Sequence, residues 1–472
     1  MSEKKRSEVA DVDRSLYDFP KSEEGYARYD DGLTPEIVRA ISKKKEEPES
    51  MLQMRLSALE TYHQRQMATN WGPSIAGLDL NHISTYVSPK TQEANSWDDV
   101  PEDIRDTFDR LGIPQGEAES LAGVGAQYDS EIVYHNMREE VAEQGVIYTT
   151  IEDALHDPQW EPVVKEYFGK LIPPSDHKFA ALHYAVWSGG SFVYVPKNVT
   201  LDYPLQSYFR LNAQGAGQFE HTLIIVEEGA DLHFIEGCSA PKYYAANLHA
   251  GAVELFVKDG ARLRYSTIEN WSKNMYNLNT KRAIIGSNAK MEWVSGSFGS
   301  HVSYLYPSTI MNGDSSNCEF TGITFAGATQ DLDTGCKVII NGSNNSANVD
   351  TKSISKDGGV NTFRSTVTVG RKAENARVAF SCQSLMLDNI SRSDTIPEMD
   401  VRNATAQIGH EATIGRISDS TVLYLMRRGC SEAAARTMGV NGFANPVSKE
   451  LPMEYAVEMN NLIKLEMEGA IG

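Results

Sequence analysis

At 472 residues the chain is long enough for two or three domains with buried cores. Its 44 Lys and Arg against 64 Asp and Glu leave a formal charge of −20, which argues against nucleic-acid partners and against binding to anionic membranes. The opening at residues 1–9 is charged and no apolar run approaches about 20 residues, so we expect a cytoplasmic protein. Five cysteines without a CxxC pair are expected to be thiols rather than disulfides or zinc ligands.

Residues 1–180 are predicted to form a helical and mixed N-terminal region. Thr34 followed by Pro35 has the pattern of an N-cap and a first helical position, and the leucines that follow recur at helical spacing. These signals predict two helices separated near Pro48. The GVGAQY run at 123–128 lacks the third glycine of a dinucleotide fingerprint, so we interpret it as a loop.

A repeating unit follows over residues 181–417, in which an alternating apolar run, a glycine turn and a second alternating run recur every 26 to 31 residues. The turn glycines are Gly229, Gly260, Gly286, Gly313, Gly342 and Gly370. Each unit has strands that cannot bury their apolar face alone, and stacking successive units pairs strand on strand. The period therefore predicts a mainly β protein with a parallel β-helix, or β-solenoid, as its core. An antiparallel sandwich with similar turns is the alternative.

Residues 418–472 return to a helical pattern. A short apolar stretch ends at Gly429, Ser431 has the position of an N-cap, and a further apolar series at helical spacing follows Pro452. We expect a C-terminal helical domain that caps the solenoid and offers a docking surface.

The sequence contains no GxxxxGK[ST] motif, so any ATP hydrolysis is expected to belong to a partner and not to this chain. A glycan-binding or glycan-cleaving β-helix is an alternative, but only the fold class supports it.

Cys238 lies in the run IEGCSAP and alternates with Leu232 and Phe234, so its side chain is predicted to point inward. One interpretation is a small buried hydrophobic side chain. The other is a thiol whose pKa is lowered by polar side chains of neighbouring rungs and that carries sulfur. Those polar candidates are Arg210, Asn212, Glu269, Trp271 and Lys281.

Cys382 alternates with Val378 and Phe380 and is also predicted to point inward. His410 and Glu411 follow 28 residues later, about one rung, so stacking is expected to bring both of them close to the thiol. Such a group of sulfur, nitrogen and carboxylate ligands suits iron, and a purely structural thiol is the alternative.

These residues stand in strings that resemble a known family. The strings include GVGAQYDSEIVYHN, KFAALHYAVWSGGSFVYVPKNV, IEGCSAP, CQSLMLDNISRSDTIPEMDVRN, HEATIGRIS and KELPMEYAVEMNNLIKLEMEGAIG. From end to end the chain resembles the SufB/SufD family of the SUF iron–sulfur cluster assembly system. It is more similar to the SufB scaffold type than to the architectural SufD type, because all three of IEGCSAP, CQSLMLD and HEAT occur. The resemblance implies a right-handed parallel β-helix flanked by helical ends.

The resemblance also implies partners and cargo. A scaffold of this type pairs with a SufD paralogue, or a second copy of itself, through the β-helix and docks the SufC ATPase on its C-terminal helices. It receives sulfur from a cysteine desulfurase with its sulfur-transfer protein and passes a transient iron–sulfur cluster to apo-proteins. Reduced flavin is associated with such complexes, although this chain contains no flavin motif.

The resemblance assigns roles to single residues. Cys238 resembles the position that accepts persulfide sulfur. The polar positions implied to line the path from it are Arg210, Asn212, Trp271 and Lys281.

Cys382 resembles the cluster-assembly cysteine near the paralogue interface, with Glu411 and His410 beside it as the matching partner motif. The chain departs from the family pattern at two positions. Glu269 stands where some relatives have glutamine, which changes the electrostatics of the path, and Gly409 stands where some have glutamate, which changes the ligand set. The remaining cysteines, interpreted as structural, are Cys318, Cys336 and Cys430.

Overall fold

The structure is a computed structural model that describes residues 18–24, 26–30, 32–68, 70–91, 93–451 and 453–468. The charged opening at residues 1–9 and the predicted helix signal at Pro452 lie outside the described residues. None of the helices in these ranges is both long and apolar enough to cross a membrane.

Helices form both ends of the described chain. They are α1 (Pro35–Lys44), α2 (Glu49–Gln64), α3 (Glu102–Arg110), α4 (Ile113–Ser120), α5 (Glu139–Ala142), α6 (Ile151–His156), α7 (Glu161–Tyr167), α8 (Lys178–Val186), α9 (Asp419–Met426), α10 (Glu432–Ser448) and α11 (Met453–Glu468), with a 3₁₀ turn at Trp97–Asp99.

Strands fill the middle of the chain. They are β1 (Ala27–Tyr29), β2 (Tyr86–Ser88), β3 (Gly123–Tyr128), β4 (Glu131–Met137), β5 (Ile147–Thr149), β6 (Phe192–Val195), β7 (Leu205–Arg210), β8 (Gly217–Gln218), β9 (His221–Val226), β10 (Asp231–Ser239), β11 (Asn247–His249), β12 (Ala252–Val257), β13 (Arg262–Asn270), β14 (Met275–Asn277), β15 (Thr280–Ile285), β16 (Lys290–Phe298), β17 (Val302–Leu305), β18 (Ser308–Met311), β19 (Asn317–Ala326), β20 (Asp331–Ile340), β21 (Ser346–Ser355), β22 (Val360–Val369), β23 (Arg377–Met386), β24 (Arg392–Val401) and β25 (Gln407–Gly415).

The helix starts follow the predicted capping signals. Thr34 Oγ1 accepts a hydrogen bond from the backbone N–H of Ile37 at 3.3 Å, and Ser431 Oγ accepts one from Ala434 at 3.2 Å. Helix α2 begins directly after Pro48, which confirms the predicted break between the first two helices.

The central strands stack in parallel, one rung upon the next. Arg262 of β13 pairs with Lys290 of β16, and Lys290 pairs with Asn317 of β19, which are steps of 28 and 27 residues. One column of strands, from β7 to β25, faces a second sheet across a lumen. Before β20 that second sheet divides into two columns, one of β6, β9, β12, β15 and β18 and one of β8, β11, β14 and β17. The predicted parallel β-helix is therefore confirmed, and the antiparallel sandwich is wrong.

The sheet of the β-helix includes residues 123–128, the GVGAQY run interpreted from the sequence as a loop. Residues 123–128 form strand β3, which pairs in parallel with β7 and antiparallel with β4, so the prediction of a loop is wrong. Its alternating apolar side chains pack in the cluster that includes residues of α3 and α11. Gly123 lies against the backbone of β4, and Gly125 lies against the ring of Tyr148.

The turns between rungs need residues that tolerate left-handed backbone. Gly229 has φ of 69° and Asn198 has φ of 60°, as expected from their residue types. In later turns the left-handed residue comes two positions after the predicted glycine, at Asn288, Ser315 and Asn344. The left-handed position is therefore taken by glycine in two early turns and by short polar residues in the turns that follow.

The lumen holds one apolar core that runs through the stacked rungs. Aromatic rings of Phe234, Tyr265 and Trp293 lie on successive rungs with centroids 5.6 Å apart. The outer faces are covered as well, where α8 packs on β9 and α11 packs on β10 and β13. Because helices bury these outer faces, strands such as β7 and β9 are buried at every position.

Candidate functional site

Cys238 lies inside the lumen, as its alternation with Phe234 predicts, and is 1% exposed. It pairs with Phe209 on the rung before and with Glu269 on the rung after. Side chains at paired positions of parallel strands share a face, so Glu269 lies beside the thiol.

A buried charge cluster surrounds this thiol. Lys281 Nζ donates a hydrogen bond to Glu236 Oε1 at 2.6 Å and one to Thr267 Oγ1 at 3.0 Å, and it lies 4.0 Å from Glu269 Oε1. The hydroxyl of Tyr265 donates to the other oxygen of Glu236. Each carboxylate is thus matched by a cation or a donor, as burial of charge requires.

Protonation in the cluster follows from burial and from the pairing of charges. Burial and then the carboxylates of Glu236 and Glu269 raise the pKa of the Cys238 thiol well above its ordinary value. The sequence-based expectation of a lowered thiol pKa is therefore wrong. Burial opposes the charge of Lys281, but Glu236 and Glu269 together outweigh it and raise the pKa of that ammonium group.

Trp271 and a second buried ion pair continue the cluster along the lumen. The ring of Trp271 packs in the same apolar group as Cys238, with its centroid 4.7 Å from the ring of His249. His249 Nε2 lies 2.5 Å from Glu220 Oε1, and both side chains are fully buried. Lys281 and Trp271 are thus brought to the Cys238 end of the lumen.

Arg210 and Asn212 are not brought to the thiol. Arg210 pairs with Ser239, one residue beyond Cys238, so its side chain lies on the opposite face of the sheet. There its guanidinium lies 4.8 Å from the ring centroid of Phe19, and Asn212 Oδ1 accepts a hydrogen bond from the backbone N–H of Lys21 at 2.9 Å. In this structure both side chains hold the N-terminal segment against the outside of the β-helix.

Cys382 is buried in the lumen several rungs further on. Its Sγ lies 3.7 Å from His410 Nε2, and burial raises the pKa of the thiol. The register pairs Cys382 with Ala412 and places Glu411 opposite Ser381, so Glu411 is exposed on the outer face. Stacking therefore brings His410 to the thiol, but the expectation that Glu411 also approaches it within one chain is wrong.

A narrow cavity of about 50 Å³ extends along the lumen from the rung of Glu269 to the rung of Cys382. Glu269 and Lys281 line one end, and Cys382 lines the other. The space between them is lined by polar side chains, namely Asn279, Ser295, Ser297, Thr324, Thr334, Thr351 and Ser353, and by larger apolar ones, namely Trp293, Leu305, Phe320, Ile323 and Phe363. The cavity has room for a short row of water-sized species.

The rung next to Cys382 is the open end of the β-helix. Strands β24 and β25 are the last of their columns, and nothing in the described chain covers them. Four apolar side chains on these strands are 41–52% exposed: Ile396, Met399, Val401 and Ile414. An apolar edge of this kind marks an interaction surface.

The metal-ligand set in the described residues is small. Cys382 and His410 supply one sulfur and one nitrogen, and these residues include no group of three or more His, Cys, Asp or Glu that could hold a metal ion. A metal cluster bound at this position would need further ligands from outside the described chain.

Sequence reasoning missed Glu236, which contacts both Cys238 and Lys281. The signal was available, because residues two apart on a strand share a face and Glu236 precedes Cys238 by two. The pairing of His249 with Glu220 had no such signal, because His249 is in β11 and Glu220 is in the loop just before β9, on different rungs.

Known proteins are similar to this chain over nearly its whole length. A family model described as "SUF system FeS cluster assembly, SufBD core domain" matches residues 209–443, and "SufBD protein N-terminal region" matches residues 98–207. The SufB iron–sulfur cluster assembly protein of Bacillus subtilis is 48% identical over 98% of this chain and 99% of its own length. SufBD family proteins of Staphylococcus haemolyticus and Staphylococcus aureus are each 49% identical over the same shares.

Fold and sites together define a class of protein, a parallel β-helix with thiols at separate positions along a partly polar lumen. The chain belongs to the SufB/SufD family of SUF iron–sulfur cluster assembly proteins. This membership favours cluster assembly over the glycan-binding alternative.

Proposed function

We propose that this protein is a SufB-type scaffold on which iron–sulfur clusters are built in the cytoplasm. The observation that carries the proposal is the internal cavity, which runs from the charge cluster beside Cys238 to Cys382. A buried passage that leads from this charge cluster to a second thiol, with a lining of polar and apolar side chains, suits the movement of a reactive sulfur species away from water.

Sulfur enters at Cys238 as a persulfide in this proposal. The donor is a cysteine desulfurase with its sulfur-transfer protein, and Trp271 and Lys281 line the beginning of the path. Lys281 supports this role because its ammonium group, held by Glu236 and Glu269, offers a positive charge to a sulfur anion in the lumen. Arg210 and Asn212 act on the outer face instead, where they hold the N-terminal segment.

The cluster forms at Cys382 with iron and the delivered sulfur as substrates. Cys382 and His410 provide two ligands, and the remaining ligands come from a partner at the open end of the β-helix. Glu411, exposed on the last strand, can take part only from the outer side or in the assembled complex. A cluster held by few ligands is labile, which suits a scaffold that transfers it to apo-proteins.

Two exposed apolar surfaces support the proposed partners. The exposed apolar edge of β24 and β25 suits a SufD paralogue or a second copy of this chain. The C-terminal helices α9 and α10 carry further exposed apolar side chains, Leu423, Tyr424 and Met438, which suit docking of the SufC ATPase. Reduced flavin, if it serves as electron donor, binds in the assembled complex.

The test is anaerobic co-purification with the SufC and SufD partners, followed by iron and acid-labile sulfide analysis. We expect the wild type to hold a labile cluster and Cys382→Ala to lose it while the complex still assembles. Cys318→Ala is the matched control, since Cys318 is also a buried thiol of the lumen, and it should keep the cluster. Equal iron and sulfide in the wild type and Cys382→Ala would show instead that the cluster site lies elsewhere or that this chain only supports it, as a SufD-like subunit would.

A further inference from the structure

The carboxylate of Glu236 is held in a fixed position beside the Cys238 thiol. The two residues are two apart on β10 and share the lumen face, with Sγ 3.8 Å from Glu236 Oε1. The same oxygen accepts from Lys281 Nζ at 2.6 Å, and Oε2 accepts from the hydroxyl of Tyr265. Contacts at both oxygens therefore orient the carboxylate toward the thiol.

A thiol in this environment needs a proton acceptor before it can react. The thiolate is the nucleophilic form of cysteine, and burial together with the neighbouring carboxylates disfavours it here. Among the described side chains, Glu236 is the hydrogen-bond acceptor found for Cys238 Sγ. The acceptor must therefore lie within the cluster, because the thiol is shut away from bulk water.

We propose that Glu236 is the proton acceptor that activates Cys238 for sulfur transfer. The donor is a cysteine persulfide, R–S–S–H, of a partner protein. As Cys238 Sγ bonds to the outer sulfur, its proton moves to Glu236, and the donor S–S bond breaks with its electron pair leaving as R–S⁻. Glu236 then protonates that thiolate, so the products are Cys238–S–S–H and R–S–H. The outer sulfur changes carrier and no external oxidant or reductant is consumed.

Proton transfer inside the cluster leaves its net charge unchanged. A negative charge moves from Glu236 to the Cys238 sulfur, while the ammonium of Lys281 stays beside both. Creating a new net charge in the lumen would be far more costly, since isolated buried charges are strongly disfavoured. The other charged or titratable groups facing the site, Tyr265, Glu269, Glu220 and His249, are already paired with one another or with Asn277 and Glu236.

The proposal rests on the sulfur-acceptor role of Cys238, but its test uses a small neutral reagent and needs no cluster assembly. The full chain is treated with methyl methanethiosulfonate at neutral pH, and mass spectrometry follows each cysteine separately. The readout is the rate at Cys238 divided by the rate at Cys318, a second buried lumen thiol. The ratio corrects for any change in an opening motion that exposes both thiols.

We expect Glu236→Gln to lower the ratio by about a hundredfold, the size of a lost general base. Glu236→Asp, which keeps a carboxylate, should fall in between, and Tyr265→Phe should lower it by much less. An unchanged or higher ratio in Glu236→Gln would overturn the proposal. If Glu236 acted on the thiol only through its negative charge, removing that charge would favour the thiolate and raise the rate. Cluster loss in Cys382→Ala is a separate result, so failure of the scaffold role and failure of this role are distinguishable.

Discussion

The protonation state of His249 is set by the hydrogen-bond partners of its two ring nitrogens. His249 Nδ1 lies 2.8 Å from Asn277 Oδ1, and its Nε2 lies 2.5 Å from Glu220. The amide nitrogen of Asn277 is engaged with Glu269, so both ring nitrogens of His249 face acceptors and must donate. Burial opposes the charge, but Glu220 outweighs it and raises the pKa of His249.

His233 is the opposite case and leads to a prediction about pH. Burial and then Arg264 and Arg262 lower its pKa from 6.5 to about 4. A histidine kept neutral in the fold adds stability above its unfolded pKa, and this stability is lost as the pH falls toward the folded value. As the pH falls from about 7 to about 4.5, the free energy of unfolding should decrease in both proteins. We expect this decrease to be about 1–2 kcal/mol smaller in His233→Gln than in the wild type.

Urea unfolding at several pH values measures this difference. The exposed His63 provides the control, since His63→Gln should have the same pH slope as the wild type. Parallel curves for His233→Gln and the wild type would mean that His233 does not contribute to the acid sensitivity.

At the scale of the elements, the stacked turns depend on close approach of backbone to backbone. A Cβ on Gly313 would lie 2.0 Å from the backbone nitrogen of Ser287 in the turn below. This glycine does not have a left-handed φ, so its requirement is for space. The repeat of glycines that predicts the rungs is thus partly a packing requirement between rungs.

We therefore expect opposite effects from two Gly→Ala variants. Gly313→Ala should lower the free energy of unfolding by more than about 3 kcal/mol, because backbone atoms cannot move aside. Gly442→Ala, exposed within α10 and with open space around the added methyl, should raise it by about 0.5–1 kcal/mol. Chemical denaturation of both variants tests this, and equal effects of the two would contradict the packing argument.

At the scale of the whole molecule, the β-helix is covered along its sides and open at one end. Helices from both ends of the chain cover the outer faces of the early rungs. The last strands, β24 and β25, have neighbours on one side only, and Met399 and Ile414 are about half exposed there. The open end lies next to Cys382 and His410, so the cluster site and the proposed interface coincide.

This arrangement predicts which surface substitutions affect assembly. The double variant Met399→Lys with Ile414→Lys should weaken association with the paralogue, or with a second copy, by about tenfold or more, since charges would be buried at the contact. Light scattering on the co-purified complex measures the mass. Tyr244→Lys is the control, because Tyr244 is 98% exposed in a loop far along the sequence from these strands. An unchanged complex mass in the double variant would rule out this edge as the contact.

Much of this molecule follows from short-range patterns in its sequence. The capping residues Thr34 and Ser431 predict where helices begin, and the recurring turns predict a parallel β-helix with Cys238 and Cys382 pointing inward. These features succeed because hydrogen-bond geometry and side-chain alternation are local properties of helices and strands.

Only the tertiary structure decided which residues meet across rungs. The register turned Glu411 and Arg210 away from the thiols, and it placed Glu236 against Cys238 and Lys281. A shift of one residue between paired strands moves a side chain to the other face of the sheet. Because the rungs vary in length, with steps of 27 and 31 residues among them, the sequence alone does not fix this register. The direction of the Cys238 pKa was decided in the same way, because burial and three nearby carboxylates outweigh one lysine.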